Sequence, residues 1–157
     1  MTTVLHGRVT GLQRSAGGVP KLPVERAIVL PDGMEGDRQA NRKFHGGPDR
    51  ALCLYAQERL DALAAEGHPV ARGTLGENVT IEGLAWERLK PGSRLRIGAV
   101  EAEVTAFAAP CKQIGYGFSD CVFSRVSQKA NPGWSRVYAR ILTGGEIVVD
   151  DAVTMDE

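Results

Sequence analysis

Residues 94–104 read Arg-Leu-Arg-Ile-Gly-Ala-Val-Glu-Ala-Glu-Val, and they carry the clearest structural pattern in the chain. In residues 94–97 and again in residues 100–104, apolar side chains, alanine included, alternate with polar ones, so each segment has one apolar and one polar face. This two-residue period is typical of a β-strand that is buried on one side. Gly98 and Ala99 separate the two segments and predict a tight turn. The stretch therefore predicts a β-hairpin with strands over Arg94–Ile97 and Val100–Phe107.

Further short strands are predicted on both sides of this hairpin. Turn signals such as Pro31-Asp32-Gly33, Pro91-Gly92 and Gly144-Gly145 separate them. The fold class predicted is mostly β with a few short helices, because many short strands with few helices favour a barrel or closed sheet. The strands predicted outside the hairpin are Val4–Leu12, Glu25–Leu30, Ala51–Tyr55, Asn78–Ile81, Ser135–Leu142, Glu146–Val149 and Ala152–Met155.

Few segments have a helical pattern. The strongest is Ala56–Glu66, in which Leu60, Leu63 and Ala64 recur at helical spacing and Gly67 predicts the end of the helix. Weaker helices are predicted directly after Cys111 and over about residues 120–128. The chain has no repeat, low-complexity tract or linker, so a single domain over residues 1–157 is expected.

Composition and charge narrow the class of protein. The chain has 157 residues, with 19 Lys and Arg balanced by 19 Asp and Glu, so its net charge is zero. This balance argues against broad, non-specific binding to nucleic acid or to a membrane surface. No apolar run approaches the roughly 18 residues that span a membrane, and the N-terminus has no signal-peptide pattern. A cytoplasmic protein with no nucleic-acid or membrane partner is expected.

Cys111 is the candidate reactive residue. It follows Pro110 at the end of a predicted strand and precedes Lys112, and the next residues can form a helix. A cation and the partial positive charge of a helix N-terminus both stabilise a thiolate. Such a thiolate can act as a nucleophile, a sulfur carrier or a ligand for a soft metal. The alternative that Cys111 is an ordinary core cysteine stays open at this point.

The other two cysteines are expected to be inert. Cys53 lies in the apolar run Ala-Leu-Cys-Leu-Tyr and is predicted to be buried in the core. Cys121 is expected at a partly buried helical position, with a resolving partner of Cys111 as the alternative. Three cysteines without a Cys-x-x-Cys pair indicate neither a disulfide framework nor a zinc site.

Basic residues concentrate in two segments, residues 37–50 and residues 111–140. If these segments meet in the fold, they form an anion-binding pocket near Cys111; the alternative is a solvated surface without a preferred ligand. The basic residues are Arg38, Arg42, Lys43 and Arg50 in the first segment, and Lys112, Arg125, Lys129, Arg136 and Arg140 in the second.

Two loop motifs add candidate ligand contacts. In Phe44-His45-Gly46-Gly47-Pro48-Asp49, the glycines allow backbone N–H groups to approach an oxyanion and His45 adds a donor; the alternative is a tight surface loop. In the glycine-bracketed segment 73–80, Glu77 and Asn78 could bind the edge of a ligand ring or fix the loop itself. The chain lacks a Walker loop, a dinucleotide-binding Gly-x-Gly-x-x-Gly, a His-Glu-x-x-His and a Gly-x-Ser-x-Gly motif, which removes several common enzyme classes.

Taken in chain order, these motifs resemble the MOSC domain, the family named for the C-terminal domain of molybdenum cofactor sulfurases, in its small stand-alone form. A single motif such as His-Gly-Gly is weak evidence for the family. The order of the motifs is specific to it, however, and the resemblance covers nearly the whole chain. The matching pieces are Gly36–Gln39, His45–Ala51, Gly76–Thr80, Pro91–Gly98, Pro110-Cys111, Gly133-Trp134 and Arg136-Val137 before Gly144-Gly145.

The resemblance implies a MOSC-type β-barrel and a cysteine that either ligates molybdenum in a pterin cofactor or carries sulfur as a persulfide. That position corresponds to Cys111, as metal ligand and catalytic residue. The implied cofactor is the molybdenum cofactor (molybdopterin), whose phosphate suits basic residues. The residues expected to contact its anionic groups are Arg38, Lys43, His45, Gly46, Gly47, Arg50 and Lys112, with Glu77 and Asn78 for the pterin or for the architecture of the site.

Three functional hypotheses follow. The first is a molybdenum-dependent reductase for small N-hydroxylated compounds, which needs an external electron donor because the chain has no ferredoxin-type cysteine set. The second is a sulfur carrier that forms a persulfide on Cys111 and needs an external sulfur donor protein. The third is a non-catalytic binding barrel, or a thiol redox sensor that pairs Cys111 with Cys121.

Overall fold

A computed structural model describes residues 4–15, 19–37, 48–110 and 112–156, apart from the side chains of Val4 and Gln113. Within these residues there are eleven strands and one α-helix, α1 (Gln57–Ala65). Short 3-10 turns occur at Pro48–Arg50, Trp86–Arg88, Lys112–Gly117 and Phe123–Val126. The strands are β1 (Val4–Arg14), β2 (Leu22–Val24), β3 (Arg26–Leu30), β4 (Gly33–Met34), β5 (Leu52–Ala56), β6 (Val79–Glu82), β7 (Arg94–Ile97), β8 (Val100–Phe107), β9 (Val137–Thr143), β10 (Gly145–Val148) and β11 (Ala152–Asp156).

Seven of these strands close into a β-barrel, which confirms the predicted fold class. Their order is β1-β11-β7-β8-β9-β5-β6, and β6 pairs with β1 to complete the ring. β1 can serve both neighbours because its first half pairs with β11 and its second half pairs with β6, across a bulge between Val9 and Gly11. The short strand β2 extends the sheet beyond β1, and β10, β3 and β4 form a separate three-stranded sheet.

One barrel pair, β5 and β6, is parallel, while the others are antiparallel. Parallel neighbours need a crossover connection, and α1 lies between these two strands in the chain. The helix buries Leu60 and Leu63, two of the three residues that predict it. It ends where expected, because Gly67 adopts a φ of 97°, a left-handed conformation that favours glycine.

The barrel interior is apolar. The alternation that predicts β7 and β8 places Leu95, Ile97, Val100, Ala102 and Val104 in the core, where each is at most 2% exposed. Both strands have the predicted bounds. The other predicted strands are present with ends shifted by one or two residues, whereas β2 and β4 were not predicted.

The two weaker helix predictions are wrong in type. The segment after Cys111 is a 3-10 turn, Lys112–Gly117, that contains two glycines, which disfavour a longer helix. Within residues 120–128 only Phe123–Val126 forms a 3-10 turn. Here the Asp120 carboxylate accepts a hydrogen bond from the Val122 N–H at 3.0 Å, and such local bonds compete with helical ones.

Candidate functional site

The outer side of β5 and β9 carries a small apolar cluster separate from the barrel core. It consists of Cys53, Ala108 and Tyr138, each of which is at most 7% exposed. Cys53 and Tyr138 are directly paired across β5 and β9, and the Arg50 guanidinium lies 5.1 Å from the centre of the Tyr138 ring. Burial raises the pKa of the Cys53 thiol. The prediction that Cys53 is buried is confirmed, although it lies in this outer cluster rather than in the barrel core.

Next to this cluster, loop 73–77 encloses the carboxyl group of Glu77. Glu77 is fully buried, and its Oε1 accepts a hydrogen bond from the Gly73 N–H at 3.0 Å. Its Oε2 is also buried and has no hydrogen-bond partner among the described residues. Burial raises the pKa of Glu77 to about 7, although backbone N–H groups and the nearby Arg136 charge oppose this shift. The carboxyl group therefore titrates near neutral pH.

Loop 73–77 is held against the segment before β2. The Lys21 N–H donates to the Gly73 carbonyl at 3.0 Å. Gly73 has a φ of 86°, and a side chain there would collide with the carbonyl oxygen of Lys21. Glycine is therefore required at the start of this loop both by conformation and by space.

Asn78 joins three segments through its side chain. Its Oδ1 accepts from the Cys53 N–H at 3.0 Å, and its Nδ2 donates to the Gln13 carbonyl at 3.3 Å and to Asp37 Oδ2 at 2.9 Å. The amide is fully buried. The sequence leaves two roles open for Asn78, binding the edge of a ligand ring or fixing the loop. These contacts support the role in fixing the loop, because the side chain attaches it to β5 and β1. Contact with a cofactor remains a prediction for both Glu77 and Asn78.

A buried ion pair adjoins Asn78. Lys21 Nζ lies 2.6 Å from Asp37 Oδ2, and both side chains are 4% exposed. Asp37 also accepts from the Ser15 N–H at 2.9 Å. A buried charge needs such partners because it has lost its hydration. Lys21 was missed as a site residue, and Asp37 entered only through the family motif; neither shows any signal in the sequence pattern around it.

Arg136 is the most informative residue that the sequence-based site list omits. It is only 5% exposed and lies directly before β9. Its Nη1 donates to the Leu75 carbonyl at 2.9 Å, and its Nη2 makes a longer contact of 3.5 Å with the Ala109 carbonyl. Its Nε is buried without a hydrogen-bond partner among the described residues. The signal that could have found it is its place in the family motif beside Gly133-Trp134.

The two segments that flank Cys111 are also attached to these elements. On one side, Ser135 Oγ donates to the Ala108 carbonyl at 3.2 Å. On the other side, the Tyr116 hydroxyl donates to the Thr74 carbonyl at 2.5 Å. Lys112 is exposed. We call the outer side of β5 and β9, together with loop 73–77 and segments 108–110 and 112–117, the site face.

The structure thus brings Arg50, Glu77, Asn78 and the segment that begins with Lys112 to one side of the barrel. Six further predicted site residues lie outside the described residues: Arg38, Lys43, His45, Gly46, Gly47 and Cys111.

The second basic segment does not stay together. Arg125 forms a bidentate pair with Glu66 and stacks at 3.8 Å on Trp134, and Arg140 pairs with Glu103 at 3.1 Å. Arg136 alone among these three arginines joins the site face. Arg125 and Arg140 therefore do not contribute to an anion pocket near Cys111, whereas the meeting of the two basic segments stays a prediction, because residues 38–47 lie outside the described residues. Cys121 also differs from expectation, because it is exposed in a turn with a φ of 60°.

The described donors of the site face fit an anionic ligand group such as a phosphate. Arg50 is partly exposed and Lys112 is exposed, whereas the Nε of Arg136 is buried and has no hydrogen-bond partner in the part of the chain that the structure describes. Cationic N–H donors of this kind suit phosphate oxygens. Among the described residues, no three His, Cys, Asp or Glu side chains come together as a metal site; Cys111 lies outside that set. Within the same residues, no helix is long and apolar enough to cross a membrane.

Comparison with known proteins agrees with this architecture. The chain is 33% identical over 132 residues to protein YiiM of Escherichia coli K12, and 30% identical over 132 residues to the uncharacterized protein YflK of Bacillus subtilis 168. These alignments cover 80% and 83% of this chain. They cover 58% and 59% of the relatives, so the chain spans less than two thirds of their length.

Two solved structures are similar in fold. The YUAD protein of Bacillus subtilis matches with a TM-score of 0.76 at 17% identity, over 100% of this chain and 99% of that one. YiiM of Geobacillus stearothermophilus matches with a TM-score of 0.74 at 21% identity, over 96% of this chain and 75% of that one. The MOSC domain family model matches residues 41–154, which include β5 to β10 and most of β11. The chain therefore belongs to the MOSC domain family.

Proposed function

We propose that this MOSC protein binds the molybdenum cofactor on the site face and forms part of a reductase for small N-hydroxylated compounds. One observation carries the proposal. Both segments that flank Cys111 are tied to loop 73–77, beside a buried arginine and a partly exposed one. A soft thiolate ligand next to cationic donors suits a metal held by an anionic organic cofactor.

Each residue has a separate task in this proposal. Cys111 holds the metal through its thiolate, and Arg50 and Lys112 contact the anionic group, together with Arg38, Lys43, His45 and the backbone of Gly46 and Gly47. The Asn78 amide keeps β5, β1 and Asp37 in register beneath the site. When bound, the cofactor supplies the two-electron chemistry that converts an N–OH group to N–H with release of water. The electrons come from an external donor protein.

The test measures molybdenum and the fluorescence of oxidised pterin on protein purified from a host that makes the cofactor. We expect near-stoichiometric signals in the wild type and background signals in Cys111→Ala. Cys121→Ala is the matched control, because Cys121 is an exposed thiol in the same chain. Metal-free and pterin-free wild-type protein, from a host verified to make the cofactor, would contradict the proposal.

A sulfur carrier is the second candidate, and the exposed ammonium of Lys112 favours it. A cation directly beside Cys111 stabilises the thiolate that a persulfide requires. An external sulfur donor protein then loads the thiol. This function predicts sulfur that cyanide releases as thiocyanate from the wild type and from Cys121→Ala, but not from Cys111→Ala. Absence of labile sulfur after incubation with a desulfurase and cysteine would exclude it.

A further inference from the structure

Loop 73–77 is the point at which the two segments around Cys111 meet. Arg136 connects the Leu75 carbonyl of the loop to Ala109, two residues before Cys111. Tyr116, five residues after Cys111, connects to the neighbouring Thr74 carbonyl. Both connections end on adjacent carbonyl groups of one loop. A displacement of that loop would therefore be transmitted to both segments that flank Cys111.

The loop itself is rigidly held. The buried Glu77 carboxylate accepts the Gly73 N–H, and the Gly76 N–H donates to the Gly73 carbonyl at 3.1 Å. Gly117 packs so closely on the loop that a side chain there would lie 3.0 Å from Thr74 Cγ2 and 3.1 Å from Leu75 Cδ2. The loop thus offers fixed acceptors rather than flexible ones.

Arginine is the side chain suited to the first connection. Its guanidinium presents N–H donors in a rigid planar fork, so one group can reach two carbonyls at once. Lysine presents a compact ammonium on a flexible stem and does not reproduce that fork. Arg136 is also almost wholly buried, and two of its three nitrogens are committed to backbone carbonyls.

We propose that Arg136 is a positioning residue for Cys111. Its guanidinium attaches segment 108–110, which precedes Cys111, to loop 73–77. The Tyr116 hydroxyl attaches segment 112–117, which follows Cys111, to the same loop. The role of Cys111 as the reactive residue rests on the proposed function, whereas the connection through Arg136 does not depend on a bound cofactor.

The three cysteines of the chain allow an internally controlled test in the protein without cofactor. The protein is alkylated with the uncharged reagent iodoacetamide at an alkaline pH at which exposed thiols are ionised. Mass spectrometry then measures the rate at which each cysteine is labelled. Cys121 is exposed and reports the reactivity of the reagent, whereas Cys53 is buried beside Ala108 on the site face and is labelled when that face or the whole barrel opens. The rate ratio of Cys111 to Cys121 then reports the position of Cys111.

In Arg136→Gln we expect this ratio to change by about threefold or more while the far-UV circular dichroism spectrum stays that of the folded wild type, because the loss of hydrogen bonds makes local opening of the site face more frequent. Arg136→Lys should change the ratio in the same direction, and Tyr116→Phe should do so by a smaller factor. The matched control is Arg140→Gln, because Arg140 is an exposed arginine in β9, the strand that follows Arg136, and this variant should leave the ratio unchanged.

Three outcomes would overturn the proposal. An unchanged ratio in Arg136→Gln would show that the bridge does not restrain Cys111. Loss of the folded far-UV circular dichroism signal in step with the labelling of Cys111 would show that Arg136 supports the whole barrel. A wild-type ratio in Arg136→Lys would assign the effect to charge alone. If Arg136→Gln does not fold, the lysine variant and Tyr116→Phe carry the test.

A metal-free wild type with the expected labelling pattern would contradict the proposed function and leave the positioning role standing.

Discussion

The barrel interior and the site face are both buried, but they are built in opposite ways. The interior relies on apolar side chains such as Leu54, Ile81 and Val104, which are at most 1% exposed. The site face buries Glu77 and Arg136, as well as the Lys21–Asp37 pair that adjoins it. Apolar burial is non-directional and tolerates conservative change, whereas a buried charge needs each of its partners.

This contrast indicates where function resides. Replacing a buried ion pair by apolar residues is often neutral or stabilising, so stability alone does not account for the buried charges. Perturbed titratable groups that cluster beside a candidate reactive residue are typical of functional sites. The predictions below test whether the two regions respond as differently as this comparison requires.

The largest effect is expected at the buried ion pair. Asp37→Asn leaves the Lys21 ammonium buried without its counter-charge, which should lower the free energy of unfolding by about 3–5 kcal/mol. Urea denaturation at neutral pH measures it. In the double variant Lys21→Met with Asp37→Asn, we expect part of the loss to be recovered, because no isolated charge remains. Equal losses in the single and double variants would contradict the charge argument.

An interior truncation should be somewhat milder and should leave the site face intact. Leu54→Ala removes a fully buried side chain from β5, and we expect a loss of about 3 kcal/mol from the cavity that remains. Urea denaturation measures this as well. Leu54→Met is the control, because it conserves volume and should cost less than about 1.5 kcal/mol. A change in the Cys111 to Cys121 labelling ratio in folded Leu54→Ala would show that the two regions are coupled.

The agreement between sequence and structure follows the same division. β7 and β8 have the predicted bounds because alternation is a local signal, and Cys53 is buried as its apolar neighbours indicate. Glu77 was recognised as a candidate, but a carboxyl in a glycine-rich loop carries no local sign that it is fully buried. Its environment depends on Arg136, whose contacts with Leu75 and Ala109 span 61 and 27 residues of sequence.

Local patterns failed elsewhere for a related reason. The weak helix predicted over residues 120–128 does not form, and two local hydrogen bonds compete with it: the Asp120 carboxylate accepts from the Val122 N–H and the Ser127 hydroxyl accepts from the Ala130 N–H. The basic segment from residue 111 to residue 140 is continuous in sequence but divided in space, because Arg136, directly before β9, contacts Leu75, whereas Arg140, within β9, pairs with Glu103. The sequence shows which segments are rich in basic residues, whereas the topology of the fold determines which of these residues lie close together.

Glu77 is expected to respond to pH in a way that no interior residue does. Its pKa rises from an ordinary value of 4.5 to about 7 in the folded protein because of burial. A carboxyl whose folded pKa is raised contributes stability that is complete below pH 4.5 and is lost as the pH rises through 7. Glu77→Gln should therefore be more stable than the wild type at pH 8, by up to about 3 kcal/mol.

Urea denaturation of both proteins between pH 4 and pH 8 measures this difference. The Glu66→Gln variant is a control of opposite sign, because the Arg125 hydrogen bond lowers the pKa of Glu66. It should lose rather than gain stability at neutral pH. A difference between Glu77→Gln and the wild type that does not vary with pH would contradict the titration of Glu77 in this range.

The smallest effect is expected on the outer surface of β7 and β8, where charges are exposed rather than buried. Arg96 and Glu101 form an ion pair with side chains that are 60% and 41% exposed. Water screens such a pair, and holding two long side chains in place costs entropy, so Arg96→Ala should change the free energy of unfolding by less than about 1 kcal/mol. A double-mutant cycle with Glu101→Ala isolates the pair energy, and added salt should reduce it further. A coupling energy as large as the Asp37→Asn effect would contradict this comparison. It would mean that an exposed ion pair stabilises the fold as much as a buried one, so that burial does not set the energy of an ion pair in this protein.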